Sequence, residues 1–218
     1  MNYELCIIYY HSRIPGSFQV SVLSGQFTNC FHPLRYAMID TAAENFTFAE
    51  VFMDITKLSA RFCVRRLTPD DAPVVYTLCR ENTLYYRYCP PFVTEQGIIA
   101  DMAALPPRKT LDDKYYLGFF DRDKLIAVLD LIAAFPDEKT AFIGFFMTDV
   151  SVQHAGIGSG IIRELCAALP AAGFTAVRLG WVKGNPQAEA FWHKNGFTET
   201  GITYDTDQYT VIVARRNL

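Results

Sequence analysis

The residues best suited to chemistry form the run Gln153-His154-Ala155-Gly156-Ile157-Gly158-Ser159-Gly160, between a strand and an amphipathic helix. Glycines at such a turn let the backbone approach a ligand, and the first N–H groups of the following helix have no partner within it. With the helix dipole behind them, these groups bind phosphate or pyrophosphate. A dinucleotide loop needs G-x-G-x-x-G, but Ile161 stands at the third position and the preceding strand belongs to an antiparallel meander. A nucleoside-triphosphate loop needs G-x-x-x-x-G-K-[ST], and no lysine occurs between Lys139 and Lys183. What remains is Q-x-x-G-x-G, set by Gln153, Gly156 and Gly158.

A second pattern follows in Asn185-Pro186-Gln187-Ala188-Glu189-Ala190-Phe191-Trp192-His193-Lys194-Asn195-Gly196-Phe197. The two motifs, in this order, resemble the GNAT superfamily of acetyl-CoA-dependent N-acetyltransferases. The first is similar to that family's pyrophosphate loop and the second to its N-x-x-A-x-x-[LF]-Y-x-K-x-G-F helix. The resemblance covers residues 62–216. It implies that acetyl-CoA is the co-substrate and lies in a V-shaped gap where the strand ending near Thr148 splays from Val177 to Val182. Phe146, Met147 and Thr148 would offer backbone groups to the pantetheine and hold the thioester carbonyl. The N–H groups of His154, Ala155, Gly156, Ile157, Gly158 and Ser159, after Gln153, would hold the pyrophosphate. Asn185 would reach the pantetheine arm. Phe191 and Trp192 would pack near the cysteamine end, with plain core packing as the equal alternative.

Direct transfer then needs a deprotonated amine near the thioester carbon and a proton source for the departing thiolate. The chain departs from the family at both positions. Ala141 to Met147 holds no carboxylate where many members carry a glutamate base, and Trp192 replaces a tyrosine acid. Asp130 is the candidate base, since it interrupts the apolar run Leu125 to Ile132 on a central strand. Pairing with a neighbour would explain it equally well. His193 is a lesser candidate proton carrier, since its neighbours on the helix read as solvent-facing, and Tyr115, Tyr116 and Tyr204 are further candidate acids. The aromatic loop Tyr85, Tyr86, Arg87 and Tyr88 falls where the family builds its acceptor pocket, or else folds onto the core. The function expected is transfer of an acetyl group to a primary amine of a small molecule in a ternary complex. A non-catalytic acyl-CoA sensor on the same scaffold is the alternative.

These residues need a rigid frame. Thr68-Pro69-Asp70-Asp71 starts a helix after the strand Cys63 to Leu67, with a hydroxyl cap, proline and acids in the first turn. A second helix starts at Thr94. Strands at Tyr115 to Phe120, Leu125 to Ile132 and Thr140 to Thr148 follow through tight turns, as an antiparallel meander. Ile157, Ile161, Ile162, Leu165, Cys166 and Leu169 share one helical face, which Pro170 ends. The strand Val177 to Val182, a helix capped at Asn185, and a hairpin of Ile202 to Tyr204 with Tyr209 to Val213 complete the order. The expected fold class is α+β (three-layer α/β), a central, mostly antiparallel mixed sheet with helices on both faces. It occupies residues 61–218. Residues 1–60, with a hairpin-like pair at Tyr3 to Tyr10 and Phe18 to Leu23 and a weak helix at Phe48 to Leu58, form an extension.

Composition agrees with a packed globule. The 218 residues are 50% hydrophobic and 20% charged, with net charge -3, which excludes a disordered chain and argues against nucleic acid as a partner. No window is apolar enough to span a membrane, and a cytoplasmic protein is expected, with a homodimer as an option. The six cysteines are irregularly spaced with no C-x-x-C, so neither disulfides nor a metal site is expected. They read mostly as small buried hydrophobes.

Overall fold

The computed structural model describes residues 53–218. The hairpin-like pair within residues 3–23 and residues 48–52 of the weak helix lie outside these residues, as do Cys6 and Cys30, and the rest of that helix is a 3-10 turn, Ile55–Leu58. Among the described residues seven strands form one sheet: β1 (Cys63–Arg66), β2 (Lys114–Asp121), β3 (Lys124–Ile132), β4 (Thr140–Thr148), β5 (Ala176–Val182), β6 (Thr198–Asp205) and β7 (Thr210–Asn217). Their spatial order is β1-β2-β3-β4-β5-β7-β6, antiparallel throughout except for β4 and β5. Five α-helices flank them: α1 (Ala72–Arg80), α2 (Thr83–Tyr88), α3 (Glu95–Ala103), α4 (Ile157–Ala168) and α5 (Pro186–Lys194).

Pleating assigns the helices to faces. Tyr116, Asp130 and Phe145 are register partners and share one face, while Leu117, Leu129 and Phe146 share the other. Phe145 meets Tyr85 of α2 edge to face, and Lys114 of β2 reaches the carbonyl of Ala104, just beyond α3. Phe146 meets Phe191 and Trp192 of α5. The sheet is therefore covered on both sides, and its middle strands are buried on both. This is why β3 and β4 read as near-continuous apolar runs.

Three sequence expectations change. The aromatic segment Tyr85 to Tyr88 is not a loop but most of helix α2. No glycine or proline interrupts Thr83 to Cys89, Tyr85 buries its ring, and the Cys89 N–H closes on the Tyr85 carbonyl at 3.0 Å. The cysteines divide as well: Cys79 and Cys166 are buried, Cys89 is half-buried and Cys63 is exposed. The helix expected from Thr68 begins as a 3-10 turn, Pro69–Asp71, and continues as α1. There the Asp71 carboxylate accepts from the Thr68 N–H at 2.8 Å and takes both Arg65 guanidinium nitrogens, at 2.7 and 2.9 Å.

Parallel β4 and β5 pair only at Thr140–Ala176, Ala141–Val177 and Phe142–Arg178. Beyond that, β4 keeps its ladder to β3 as far as Thr148, and β5 keeps its own to β7 as far as Val182. The two strands thus diverge into a gap. On the other edge of β4 the register slips between Asp130 and Leu131, which face Phe145 and Ile143, so Gly144 is the extra, bulged residue. A side chain there would collide with Asp130, whose Oδ2 is 2.8 Å from the position of a Cβ.

Two stability outcomes follow from this frame. Leu129, fully buried on β3, should cost about 2–5 kcal/mol on change to alanine, read as a lower urea midpoint. Arg65 holds the Asp71 carboxyl down at about 2. That carboxyl is ionised more readily folded than unfolded, so its stabilisation is present above about pH 4 and is lost as pH falls toward 2. Asp71→Asn should flatten this part of the acid-denaturation curve, and an unchanged curve would remove the ion pair from the account.

Candidate active site

The turn between β4 and α4 is built to leave donors unused. His154 and Gly156 both take positive φ, +63° and +76°, and Gly156 caps α4. The first helical bond runs from the Gly160 N–H to the Gly156 carbonyl. The N–H groups of Ile157, Gly158 and Ser159 therefore precede the helix ladder. At Gly158 a Cβ would stand 3.4 Å from Phe191 and from Thr148, and 3.6 Å from Phe146, at ordinary contact distance, so the start of α4 lies directly on the end of β4.

Two asparagines brace this arrangement, and neither is evident from the motifs. Asn82, fully buried between α1 and α2, donates to the Leu78 carbonyl at 3.0 Å and to the Thr148 carbonyl at 3.1 Å. Its own side-chain oxygen accepts from Gln153 Nε2 at 2.7 Å. The motif glutamine thus fastens the turn to α1 and the end of β4. Asn195 donates to the Phe191 carbonyl at 2.8 Å and to Ser159 Oγ at 3.2 Å, fastening the end of α5 to the start of α4. An amide that must reach two elements at once leaves no periodic trace in the sequence.

Asn185 is 1% exposed, and its side-chain oxygen accepts from the Gln187 and Ala188 N–H groups at 3.2 and 3.1 Å. That oxygen serves as the N-cap of α5, which accounts for the burial of Asn185. Trp192 is fully buried with its ring centroid 5.0 Å from Phe197 and 5.1 Å from Phe191, so core packing accounts for it. Phe191 and Phe146 lie beneath Gly158, closer to the gap.

The sheet face under α1–α3 carries the titratable groups. Lys114 Nζ and Asp130 Oδ2 form an ion pair at 2.8 Å, and both side chains are 2% exposed. Lys114 also donates to the Ala104 carbonyl at 2.9 Å. The sequence offers Asp130 as a base. Its charge is matched by Lys114 and it is closed from solvent, so the pairing alternative describes it. Around this pair stand Asp101, Tyr116, Tyr86 and Cys79. Burial pushes the Asp101 carboxyl up to about 7, aided by the charge of Asp130 and opposed by Lys114. Burial also pushes Cys79 up to about 12 and raises Tyr86 and Tyr116 above the usual tyrosine range. These three groups stay protonated at neutral pH. Asp101 could have been noticed: on α3 it falls between the buried Ile98 and Met102, an acid on the apolar stripe.

The remaining candidates sit elsewhere. His193 is 43% exposed, with its ring edge on Trp181 and its Nε2 3.8 Å from Glu199. Together with Glu189 it forms an outer cluster whose ligand atoms lie within 4.8 Å of one another. Tyr115 is buried beneath the Arg66 guanidinium, and Tyr204 is exposed. Of the acceptor candidates, Tyr85 is buried, Tyr86 and Tyr88 are half-buried and Arg87 is exposed. No described helix is long and apolar enough to cross a membrane.

Comparison with known proteins agrees with this geometry. No curated protein matches the sequence. Among solved structures, an acetyltransferase from Thermus thermophilus is 19% identical, with a TM-score of 0.59 over 72% of this chain and 97% of its own. A Salmonella typhimurium acetyltransferase that modifies the N-terminal serine of a 50S ribosomal subunit protein is 19% identical, with a TM-score of 0.59 over 74% and 97%. The PaiA N-acetyltransferase of Thermoplasma acidophilum, in complex with coenzyme A, is 21% identical, with a TM-score of 0.52 over 72% and 99%. These likenesses are of fold. The model of the Acetyltransferase (GNAT) family matches residues 79–197. That is more than half of the chain and includes both motifs, and the protein therefore belongs to the GNAT family of acyl-CoA-dependent acetyltransferases.

Proposed function

We propose that this enzyme moves an acetyl group from acetyl-CoA to the primary amine of a small molecule, by direct attack within a ternary complex. The observation that carries the reading is the divergence of β4 from β5 after three residue pairs, with an N–H-rich turn at its mouth. The edge of β4 from Phe146 to Thr148 offers backbone groups to the pantetheine amides as an added strand would. A backbone N–H in this stretch stabilises the oxyanion that develops on the thioester carbonyl. The N–H groups from His154 to Ser159 receive the pyrophosphate at the positive end of α4. Phe191 closes the gap from the α5 side. The amine approaches from the face under α1–α3, where Tyr85 and Phe145 meet edge to face and Tyr86, Arg87 and Tyr88 lie on the same short helix. A cytoplasmic location fits this chemistry, since acetyl-CoA is an intracellular thioester.

Three of the similar structures are named as acetyltransferases of ribosomal proteins, which makes a protein N-terminus the competing acceptor. Thiol release from acetyl-CoA should be faster with a mixture of alkylamines, arylalkylamines and amino acids than with N-terminal peptides. Acetylation of peptides alone would overturn the small-molecule reading.

The coenzyme site has its own test. A Cβ at Gly156 meets nothing within 4 Å, its left-handed φ of +76° costs an aspartate only about 1–2 kcal/mol, and an acid at a helix N-terminus suits the dipole of the free protein. Gly156→Asp should therefore fold, yet it places a carboxylate against the pyrophosphate. Calorimetric titration should show CoA affinity reduced by at least about 10-fold, on the scale of one unfavourable contact of ~1.4 kcal/mol. Unchanged affinity would remove the turn from the site.

A further inference from the structure

The family assignment leaves open which group removes the acceptor's proton, and β4 supplies no carboxylate for it. We infer that Asp101 of α3 takes the proton from the acceptor ammonium, while the buried Lys114–Asp130 pair fixes its electrostatic setting. The inference rests on the acetyl-transfer reading above.

Placement comes first. Lys114 bridges β2 to the end of α3 through the Ala104 carbonyl and, through Asp130, to β3. Asp101 lies within the last turn of α3, three residues before that carbonyl, and its neighbours Ile98 and Met102 face the core. Its carboxyl interacts electrostatically with Lys114 and Asp130, and it is also felt by Tyr116 of β2, Tyr86 of α2 and Cys79 of α1. Asp130 in turn rests on the bulged Gly144 of β4, on the β3 side of that strand, and shares the sheet face of Phe145 under α1–α3. The group therefore belongs to the acceptor side of the strand proposed to hold the thioester.

Chemistry separates the two acids. Asp130 is 2% exposed and its charge is matched at 2.8 Å, whereas Asp101 keeps partial exposure. A general base works best when its proton affinity matches the operating pH. Asp101, pushed up to about 7, meets that condition. Cys79, Tyr86 and Tyr116 are held protonated, so none competes as a proton acceptor.

The step balances. The ammonium N–H bond breaks as its proton passes to the Asp101 carboxylate, and the freed lone pair forms the bond to the thioester carbon. Collapse of the tetrahedral adduct breaks the carbon–sulfur bond. The second nitrogen proton reaches the CoA thiolate by way of water, and Asp101 returns its proton to solvent. The products are the amide, CoA thiol and one released proton.

The test uses Asp101→Asn, with Asp101→Glu as the conservative control, on the full chain with acetyl-CoA and the amine mixture above. Wild-type kcat/KM for amine should climb with pH and level off above about 7, following the Asp101 carboxyl. Asp101→Asn should lower it by ~100-fold or more and erase that limb, the scale of lost general-base catalysis. CoA affinity should be unchanged, and Asp101→Glu should restore much of the rate. An unaltered pH limb in Asp101→Asn overturns the inference. A second readout needs no turnover. A carboxyl whose folded value is raised binds its proton more tightly when folded, so stability should fall as pH rises from about 4 to about 7. Asp101→Asn should remove that slope in urea titrations. Carboxyl-carbon NMR of labelled aspartate that shows no Asp101 midpoint between about pH 6 and 8 overturns the inference even if amines are acetylated. A chain that binds CoA, shows this midpoint and acetylates no amine contradicts the acetyl-transfer reading instead.

Discussion

Three parallel pairs hold β4 to β5, and then the strands part while each keeps its outer neighbour. The rest of the structure depends on this interrupted ladder. An open ladder inside a protein leaves backbone donors and acceptors without partners, which is costly unless something takes them up. In this chain that requirement and the proposed coenzyme site have the same answer. The gap persists because its edges are fixed elsewhere. Asn82 and Gln153 pin the end of β4 to α1, Asn195 pins α5 to α4, and the Asn185 cap starts α5 directly after β5.

The two faces of the sheet divide the labour. The α4–α5 side is apolar and tightly packed, with Phe146, Phe191, Trp192 and Phe197 supporting the glycine turn from below. The α1–α3 side holds the polar cluster in which a buried ion pair sits beneath a half-buried acid. A buried pair contributes little net stability against an apolar replacement, and removing one partner leaves an uncompensated charge. Its retention here fits a role in setting the electrostatics of Asp101 better than a role in holding the fold together.

Much of this was readable in the sequence, for identifiable reasons. The strands β2 to β5 and helices α4 and α5 announce themselves through apolar runs, helical spacing and the capping residues Asn185 and Gly196. The glycine turn was visible because backbone approach to an anion demands particular residues at particular spacing. What escaped notice depends on contacts between distant segments. Helix α2 is six residues of mixed aromatics with no periodic stripe, and β6 runs further than Ile202 to Tyr204 because an edge strand exposed on both faces shows no alternation. Asp130 stood out as a polar residue in an apolar strand, yet its partner Lys114 lies at the start of another strand, where a lysine looks ordinary. Asp101 leaves one trace, an acid on the apolar stripe between Ile98 and Met102, while its polar neighbours Lys114 and Asp130 come from distant strands.

The central claim is that the opening between β4 and β5 receives acetyl-CoA with its pyrophosphate on the turn before α4. Amide proton–nitrogen NMR during titration with CoA tests it most directly. The account predicts the largest shifts at Phe146 to Thr148 and His154 to Ser159, with little change along β1 and β2. Shifts confined to other surfaces, with the turn and the end of β4 unmoved, would contradict it.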